Sequence, residues 1–175
     1  MQASLKSKLK TCQLFATDVD GVLTDGRITY TSNGEELKSF DIQDGLGIKL
    51  LQSVGVEIAI ITGRNSPMVE RRAKELGITH IIQGREDKNI ALEKLCSDLN
   101  ISLQNCAYAG DDLPDLKAII AAGTGLVPAN ANAALKAHAD YCCTLAGGSG
   151  AVREICELIL EAKGELQPIL ESYEA

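Results

Sequence analysis

The stretch Leu14-Phe15-Ala16-Thr17-Asp18-Val19-Asp20-Gly21-Val22-Leu23-Thr24 decides how this chain is read. An apolar run ends in two carboxylates at positions i and i+2, and a glycine follows. Along a strand, residues i and i+2 point to the same side. Asp18 and Asp20 are therefore expected together at the carboxyl edge of a strand, where ligands bind in open α/β sheets. Two like charges held that close are unfavourable unless a cation or a shared proton offsets them. The pair points to a divalent metal, a proton-transfer role, or both.

Working outward from this stretch, short apolar runs alternate with helical patterns. Strands are expected at 13–18, 57–62, 80–83, 106–110, 125–128 and 140–144. Most lack polar alternation, as buried parallel strands do. Helices are expected at 45–54, 66–76, 87–99, 113–122, 131–137 and 151–163, after a short basic helix with Leu5, Leu9 and Cys12 along one side. Ser66 and Pro67 form a helix start, with serine as cap and proline at the first position. Gly77 ends that helix. Asp44, before Gly45, reads as the cap of the first long helix. Repeated β-α-β units predict a single α/β domain over 1–175, a doubly wound, Rossmann-like parallel sheet with helices on both faces. A C-terminal helix and tail occupy about 151–175. One insertion breaks the rhythm: strand-forming residues flank Asn33-Gly34 between Arg27 and Phe40, a hairpin signal. Emerging beside the two acids, it is expected to stand over them as a flap, about 27–42.

Composition narrows the function. Hydrophobic residues make up 45% of the 175 residues and charged residues 23%, a soluble globular balance. Aromatics are only 3% and tryptophan is absent, so the core is built from aliphatic side chains. A net charge of −7 argues against nucleic acid as a partner. No apolar run is long enough to span a bilayer, so no membrane partner is expected. The basic start has no apolar core and does not read as a secretory signal. None of the six cysteines forms a C-x-x-C pair and there are only two histidines, which speaks against zinc. Cys106 and Cys142 read as small core residues. Cys142 and Cys143 point to opposite faces if they lie on a strand. All six are expected as reduced thiols of a cytosolic protein.

Four strand ends carry reactive groups. The first gives Asp18 and Asp20. The second ends in Thr62-Gly63-Arg64. After the third, Gly84-Arg85-Glu86-Asp87-Lys88 brings a lysine to a helix start. The fourth runs Gly110-Asp111-Asp112-Leu113-Pro114-Asp115. Each alone is weak: a threonine caps, a lysine is solvated, and acids favour a helix's positive end. As an ordered set they fit phosphoryl transfer. A phosphate monoester dianion repels a carboxylate nucleophile, and Mg²⁺, a lysine and a hydroxyl offset that repulsion. Mg²⁺ takes oxygen ligands, which suits Asp18, Asp111 and a backbone carbonyl. A carboxylate can form an acyl phosphate, and a second acid can protonate the leaving alcohol and then activate water.

The motifs Asp18-Val19-Asp20-Gly21, Thr62-Gly63-Arg64, Lys88 and Gly110-Asp111-Asp112 resemble the four signatures of haloacid dehalogenase-superfamily phosphatases. The stretches 18–26, 43–51 and 147–154 look like the subfamily of 3-deoxy-D-manno-octulosonate 8-phosphate phosphatases. The resemblance implies no large cap domain, and a homotetramer in which a neighbouring subunit, the hairpin and the C-terminal tail close the site. It implies Asp18 as nucleophile and Asp20 as general acid/base. It implies Mg²⁺ held by Asp18, Asp111 and the backbone of Asp20, with Asp112 orienting the metal's waters. Thr62 and Lys88 would bind the phosphoryl group. The substrate would be a small sugar phosphate, hydrolysed in the cytoplasm during lipopolysaccharide biosynthesis.

Arg64 bears on which sugar. The substrate of that subfamily carries a carboxylate, which a guanidinium binds bidentately. Relatives acting on 2-keto-3-deoxynononate 9-phosphate tend to carry Glu after Thr-Gly and Lys where Gly77 stands here, so Arg64 and Gly77 favour the eight-carbon acid. The plainer alternative is that Arg64 pairs with a nearby acid such as Asp115. Arg72 and Arg85 are further candidate anion binders or surface ion pairs. Arg153 follows the Gly147-Gly148-Ser149-Gly150 turn, which is expected at a subunit contact. A receiver-like phosphoacceptor domain is the rival class, but there the phosphoacceptor follows on a middle strand, and the third strand here ends at Gln83-Gly84.

Overall fold

The computed structural model describes residues 2–174. The chain runs through α1 (Ala3–Lys10), β1 (Leu14–Thr17), a hairpin of β2 (Thr29–Tyr30) and β3 (Glu36–Leu37), α2 (Ile42–Ser53), β4 (Glu57–Ile61) and α3 (Pro67–Leu76). It continues through β5 (His80–Ile82), α4 (Lys88–Asp98), β6 (Cys106–Ala109), α5 (Leu116–Ala121), β7 (Thr124–Val127), α6 (Ala133–Lys136), β8 (Tyr141–Cys142), α7 (Ala151–Lys163) and α8 (Leu166–Glu174). The six long-range strands form one parallel sheet in the order β5-β4-β1-β6-β7-β8.

Every residue of β1, β6 and β7 is buried, so these strands show no polar alternation. Alternation survives as a choice of core. Phe15, Ile58, Ile60, Ala107, Ala109 and Leu126 face a cluster with Leu9 of α1, Leu51 of α2, Val69 of α3 and Ile155 of α7. Leu14, Ala16, Ala59, Ile61, Tyr108 and Val127 face the other, with Leu92 of α4, Ile119 of α5 and Leu135 of α6. Helices thus cover both faces, as the doubly wound reading requires. Strand order reverses at β1: the chain first builds β4 and β5 on one side, then crosses to β6. The carboxyl ends of β1 and β6 flank this switch point, which opens a crevice for a ligand.

Several local expectations change. The first long helix starts at Ile42, capped by Asp41, whose side chain accepts from Gln43 N–H. Asp44 is no cap of its own helix. It is buried, and its Oδ1 accepts from the N–H of Arg153 at 2.8 Å, so it caps α7 from α2. Ser66 occupies the N-cap position of α3 but makes no side-chain cap bond; Pro67 and the left-handed Gly77 behave as expected. The 113–122 segment divides into a 3-10 turn over Leu113–Asp115 and α5. Cys142 is exposed and Cys143 buried, so the core assignment of Cys142 is corrected. All six cysteines are free thiols. An eighth helix, unanticipated, lays Leu166 and Ile169 against the core. The only insertion among the described residues is the small hairpin; no large cap is present. No helix of the described residues is long and apolar enough to cross a membrane.

Candidate active site

Asp18 is the first residue beyond β1. Its N–H donates to Ala109 O of β6 at 2.9 Å, which fixes the backbone at the switch point. The chain then turns tightly: the N–H groups of Val22, Leu23 and Thr24 all donate to Val19 O. Thr24 Oγ1 lies within bonding distance of the N–H groups of Gly21 and Gly26, at 3.4 and 3.2 Å. Gly21 adopts φ +94°, and a Cβ there would collide with the carboxylate of Asp111. Glycine is required at this position on both counts.

The side chains meet in a buried charge cluster. Lys88, at the start of α4, places Nζ 2.8 Å from Asp18 Oδ2 and 2.8 Å from Asp115 Oδ1. Asp115 is saturated: Oδ1 also accepts from Tyr108 OH at 2.7 Å, and Oδ2 accepts from the N–H groups of Asp111 and Asp112 at 3.2 and 3.4 Å. One carboxylate oxygen from each of Asp18, Asp111 and Asp115 can be chosen so that all lie within 4.8 Å of one another. Asp18 Oδ1 is buried without a hydrogen-bond partner.

The electrostatics follow from this crowding. Burial, then repulsion from Asp115, raises the Asp18 carboxyl to about 6 against the pull of Lys88. Burial and the carboxylates of Asp115, Asp18 and Asp112 raise Asp111 to about 7. Burial opposes the charge on Lys88, but Asp18 and Asp115 outweigh it and hold its pKa above the usual value. With all three acids ionised, one lysine leaves two negative charges uncompensated. An oxygen-only donor set, an orphaned buried oxygen and that residual charge fit a hard divalent cation such as Mg²⁺. Asp115, with both oxygens engaged, holds Lys88 and the 111–112 backbone in place.

The remaining anticipated residues distribute as follows. Thr62 is buried directly after β4, the neighbour of β1. Asp20 lies beside the flap, where Lys38 Nζ bonds its Oδ1. Asp112 is exposed and accepts from Asn132 Nδ2 at 3.0 Å, so Asp115 rather than Asp112 joins the cluster. Arg64 pairs with Glu36 of the flap at 2.9 Å, whereas Asp115 is taken by Lys88. Arg72 donates to Asp41 O, Arg85 pairs with Asp87, and Arg153 pairs with Glu157. The hairpin reaches Asp20 through Lys38 and Arg64 through Glu36, two residues that strand-end reasoning missed.

The glycine turn before α7 also has a nearer use than a subunit contact. Gly147 packs so closely on the loop after β1 that a Cβ would overlap Gly21 O. Gly148 N–H donates to Val22 O at 3.0 Å. Asn130 joins the two loops, donating to Gly21 O at 3.2 Å and accepting from Gly147 N–H at 2.7 Å.

The chain is similar to known proteins in both sequence and fold. Residues 77–155 match the haloacid dehalogenase-like hydrolase family. The 3-deoxy-D-manno-octulosonate 8-phosphate phosphatase of Escherichia coli K12 is 45% identical over 166 residues, covering 95% of this chain and 88% of the relative. The Moraxella catarrhalis phosphatase of the same name, solved with magnesium, phosphate and KDO, is 51% identical, covers 99% of both chains and superposes with a TM-score of 0.97. The cobalt-bound Haemophilus influenzae enzyme is 41% identical over 91% of this chain and 93% of its own, with a TM-score of 0.88. The chain therefore belongs to the 3-deoxy-D-manno-octulosonate 8-phosphate phosphatases, within the haloacid dehalogenase-like hydrolases.

Proposed function

We propose that this chain is a Mg²⁺-dependent phosphoric monoester hydrolase that converts 3-deoxy-D-manno-octulosonate 8-phosphate to the free sugar acid and phosphate in lipopolysaccharide biosynthesis. The observation that carries the reading is the buried Asp18, held at Oδ2 by Lys88 and free at Oδ1, inside a cluster of three carboxylates served by one lysine. Asp18 and Asp111, with the backbone carbonyl of Asp20, are the groups that would hold Mg²⁺. When bound, the ion supplies the positive charge that lets a carboxylate approach a phosphate dianion.

Asp18 acts as the nucleophile. Its carboxylate attacks phosphorus, and the bond to the sugar oxygen breaks as Asp20 delivers a proton to that oxygen. Asp20 then takes a proton from water, which hydrolyses the acyl phosphate and regenerates Asp18. Lys88 and Thr62 bind the phosphoryl oxygens, and Lys88 restrains Asp18. Asp112, exposed beside the cluster, would order water around such an ion. Arg64 receives the substrate's carboxylate. The 1–175 chain works as one domain, in the cytoplasm, as a homotetramer; a monomer mass in light scattering contradicts that assembly.

The test is phosphate release, with and without Mg²⁺, across eight- and nine-carbon keto-sugar phosphates and simple hexose phosphates. The eight-carbon ester is expected to show the highest kcat/KM, with loss of activity in chelator. Arg64→Ala should lower kcat/KM for the keto-sugar phosphate about tenfold more than for a carboxylate-free ester, the scale of a charge-assisted hydrogen bond. Equal losses on both remove the carboxylate role.

A further inference from the structure

The flap is fastened to the site by charge. No residue from 25 to 43 is fully buried, and the flap's apolar contact with the core is the partly buried Phe40. What ties it to the site is a chain of four charged side chains. Asp20 pairs with Lys38, Lys38 lies 3.3 Å from Glu36 Oε1, and Glu36 Oε2 lies 2.9 Å from Arg64 Nη2. The Lys38 side chain is only 2% exposed and the Glu36 side chain 22%. Thus a protein carboxylate already sits on the guanidinium assigned above to the substrate's carboxylate, and it belongs to the segment that covers the site.

We propose that Glu36 is a specificity-determining residue: its carboxylate occupies Arg64 in the substrate-free enzyme and is exchanged for the carboxylate of the arriving sugar acid. The proposal rests on the assignment of Arg64. The exchange swaps one carboxylate for another on the same guanidinium, so a sugar acid completes it at small cost. A phosphate ester without a carboxylate leaves Glu36 in place. Other anions, including inorganic phosphate, meet a guanidinium already neutralised. Lys38 keeps Glu36 within reach during the exchange, because its ammonium is shared between Glu36 and Asp20.

Glu36→Gln preserves shape and removes the competing charge. In steady-state kinetics it should lower KM for the eight-carbon keto-sugar phosphate by about two- to fivefold, the range of a partly exposed ion pair, with kcat changed less than twofold. KM for a carboxylate-free phosphate ester should stay within twofold. The unphosphorylated sugar acid should inhibit more tightly by the same factor. In an Arg64→Ala background the substitution should change none of these. An unchanged or raised KM for the sugar acid, or an equal shift on both esters, overturns the proposal. If Arg64→Ala alone harms both esters equally, the Arg64 assignment has failed and the proposal falls with it. If Arg64→Ala is selective but Glu36→Gln is silent, the assignment stands and the role of Glu36 is refuted.

Discussion

Replacing Asp115 with alanine tests whether the charge cluster depends on an acid that touches no substrate in the proposed reaction. The side chain is 1% exposed and accepts four hydrogen bonds, from Lys88, Tyr108, and the N–H groups of Asp111 and Asp112. Alanine leaves the Tyr108 hydroxyl and two N–H groups without this acceptor, and leaves Lys88 paired with Asp18 alone. Breaking a buried ion pair costs about 3–5 kcal/mol. Lys88 keeps its second partner, and loss of a charge near Asp18 and Asp111 relieves repulsion, so the lower end applies, about 3 kcal/mol. For a chain of this size that corresponds to a Tm lower by about 6–12 °C. Thermal unfolding should be followed in chelator, so that altered metal binding does not contribute. Asp115→Asn should fall between, since its amide oxygen can still accept from Tyr108 and Lys88 while its NH₂ faces two backbone donors. Turnover should fall in both variants, because Lys88 and the 111–112 backbone lose their positions. A Tm within 2 °C of the parent for Asp115→Ala would refute the view that this acid organises the site.

Three further outcomes are expected. Asp18→Asn should reduce phosphate release by at least about 10³-fold with an unchanged circular dichroism spectrum, and full activity in that variant would sink the nucleophile assignment. Gly21→Ala forces a side chain onto the Asp111 carboxylate at φ +94°; it should cost about 1–3 kcal/mol and raise the Mg²⁺ concentration needed for half-maximal activity, which a metal titration would read. Asp44 is raised to about 6, chiefly by burial and despite accepting from backbone N–H groups of α7. A carboxyl raised on folding favours the protonated native state, so its stabilising contribution is present below about pH 4 and lost as pH rises through about 6. Relative to Asp44→Asn, the parent should therefore lose up to about 2 kcal/mol between pH 4 and 7 in urea unfolding, and parallel stability curves would contradict this.

Much of the frame was legible because it depends on near neighbours in sequence. The carboxylates after β1, the threonine after β4 and the acids after β6 follow apolar runs within a few residues, and the lysine opening α4 follows β5 after a short loop. The parallel topology then brings all four strand ends to one edge. The hairpin was legible from Asn33-Gly34. The receiver-domain alternative fails because its phosphoacceptor would need a middle strand, whereas β5 ends without an acid. What was not legible depends on residues far apart in the chain. Asp44 reads as a local helix cap, yet its partner is the N–H of Arg153. Asp112 and Asp115 are alike as a sequence of acids, and only the positions of Tyr108 and Lys88 select Asp115. Period-2 alternation separates Cys142 from Cys143 without saying which one faces the core. For α8 a signal existed in the spacing of Leu166, Ile169, Leu170 and Tyr173, an apolar stripe at helical intervals. Lys38 and Glu36 look like ordinary surface charges of a hairpin until the flap is folded over Asp20 and Arg64.

The lock between the glycine turn and the loop after β1 bears on how this chain folds as it is made. Asn130, Gly147 and Gly148 brace the loop at Gly21–Thr24 from more than a hundred residues downstream. Contacts so distant in sequence close late, because loop-closure entropy must be overcome first. A nascent chain that already carries Asp18, Thr62, Lys88 and Asp111 still lacks the clamp that gives the loop its shape. The carboxylate cluster around Asp18 therefore takes its final form only after the segment from Asn130 to Gly148 has docked on the loop.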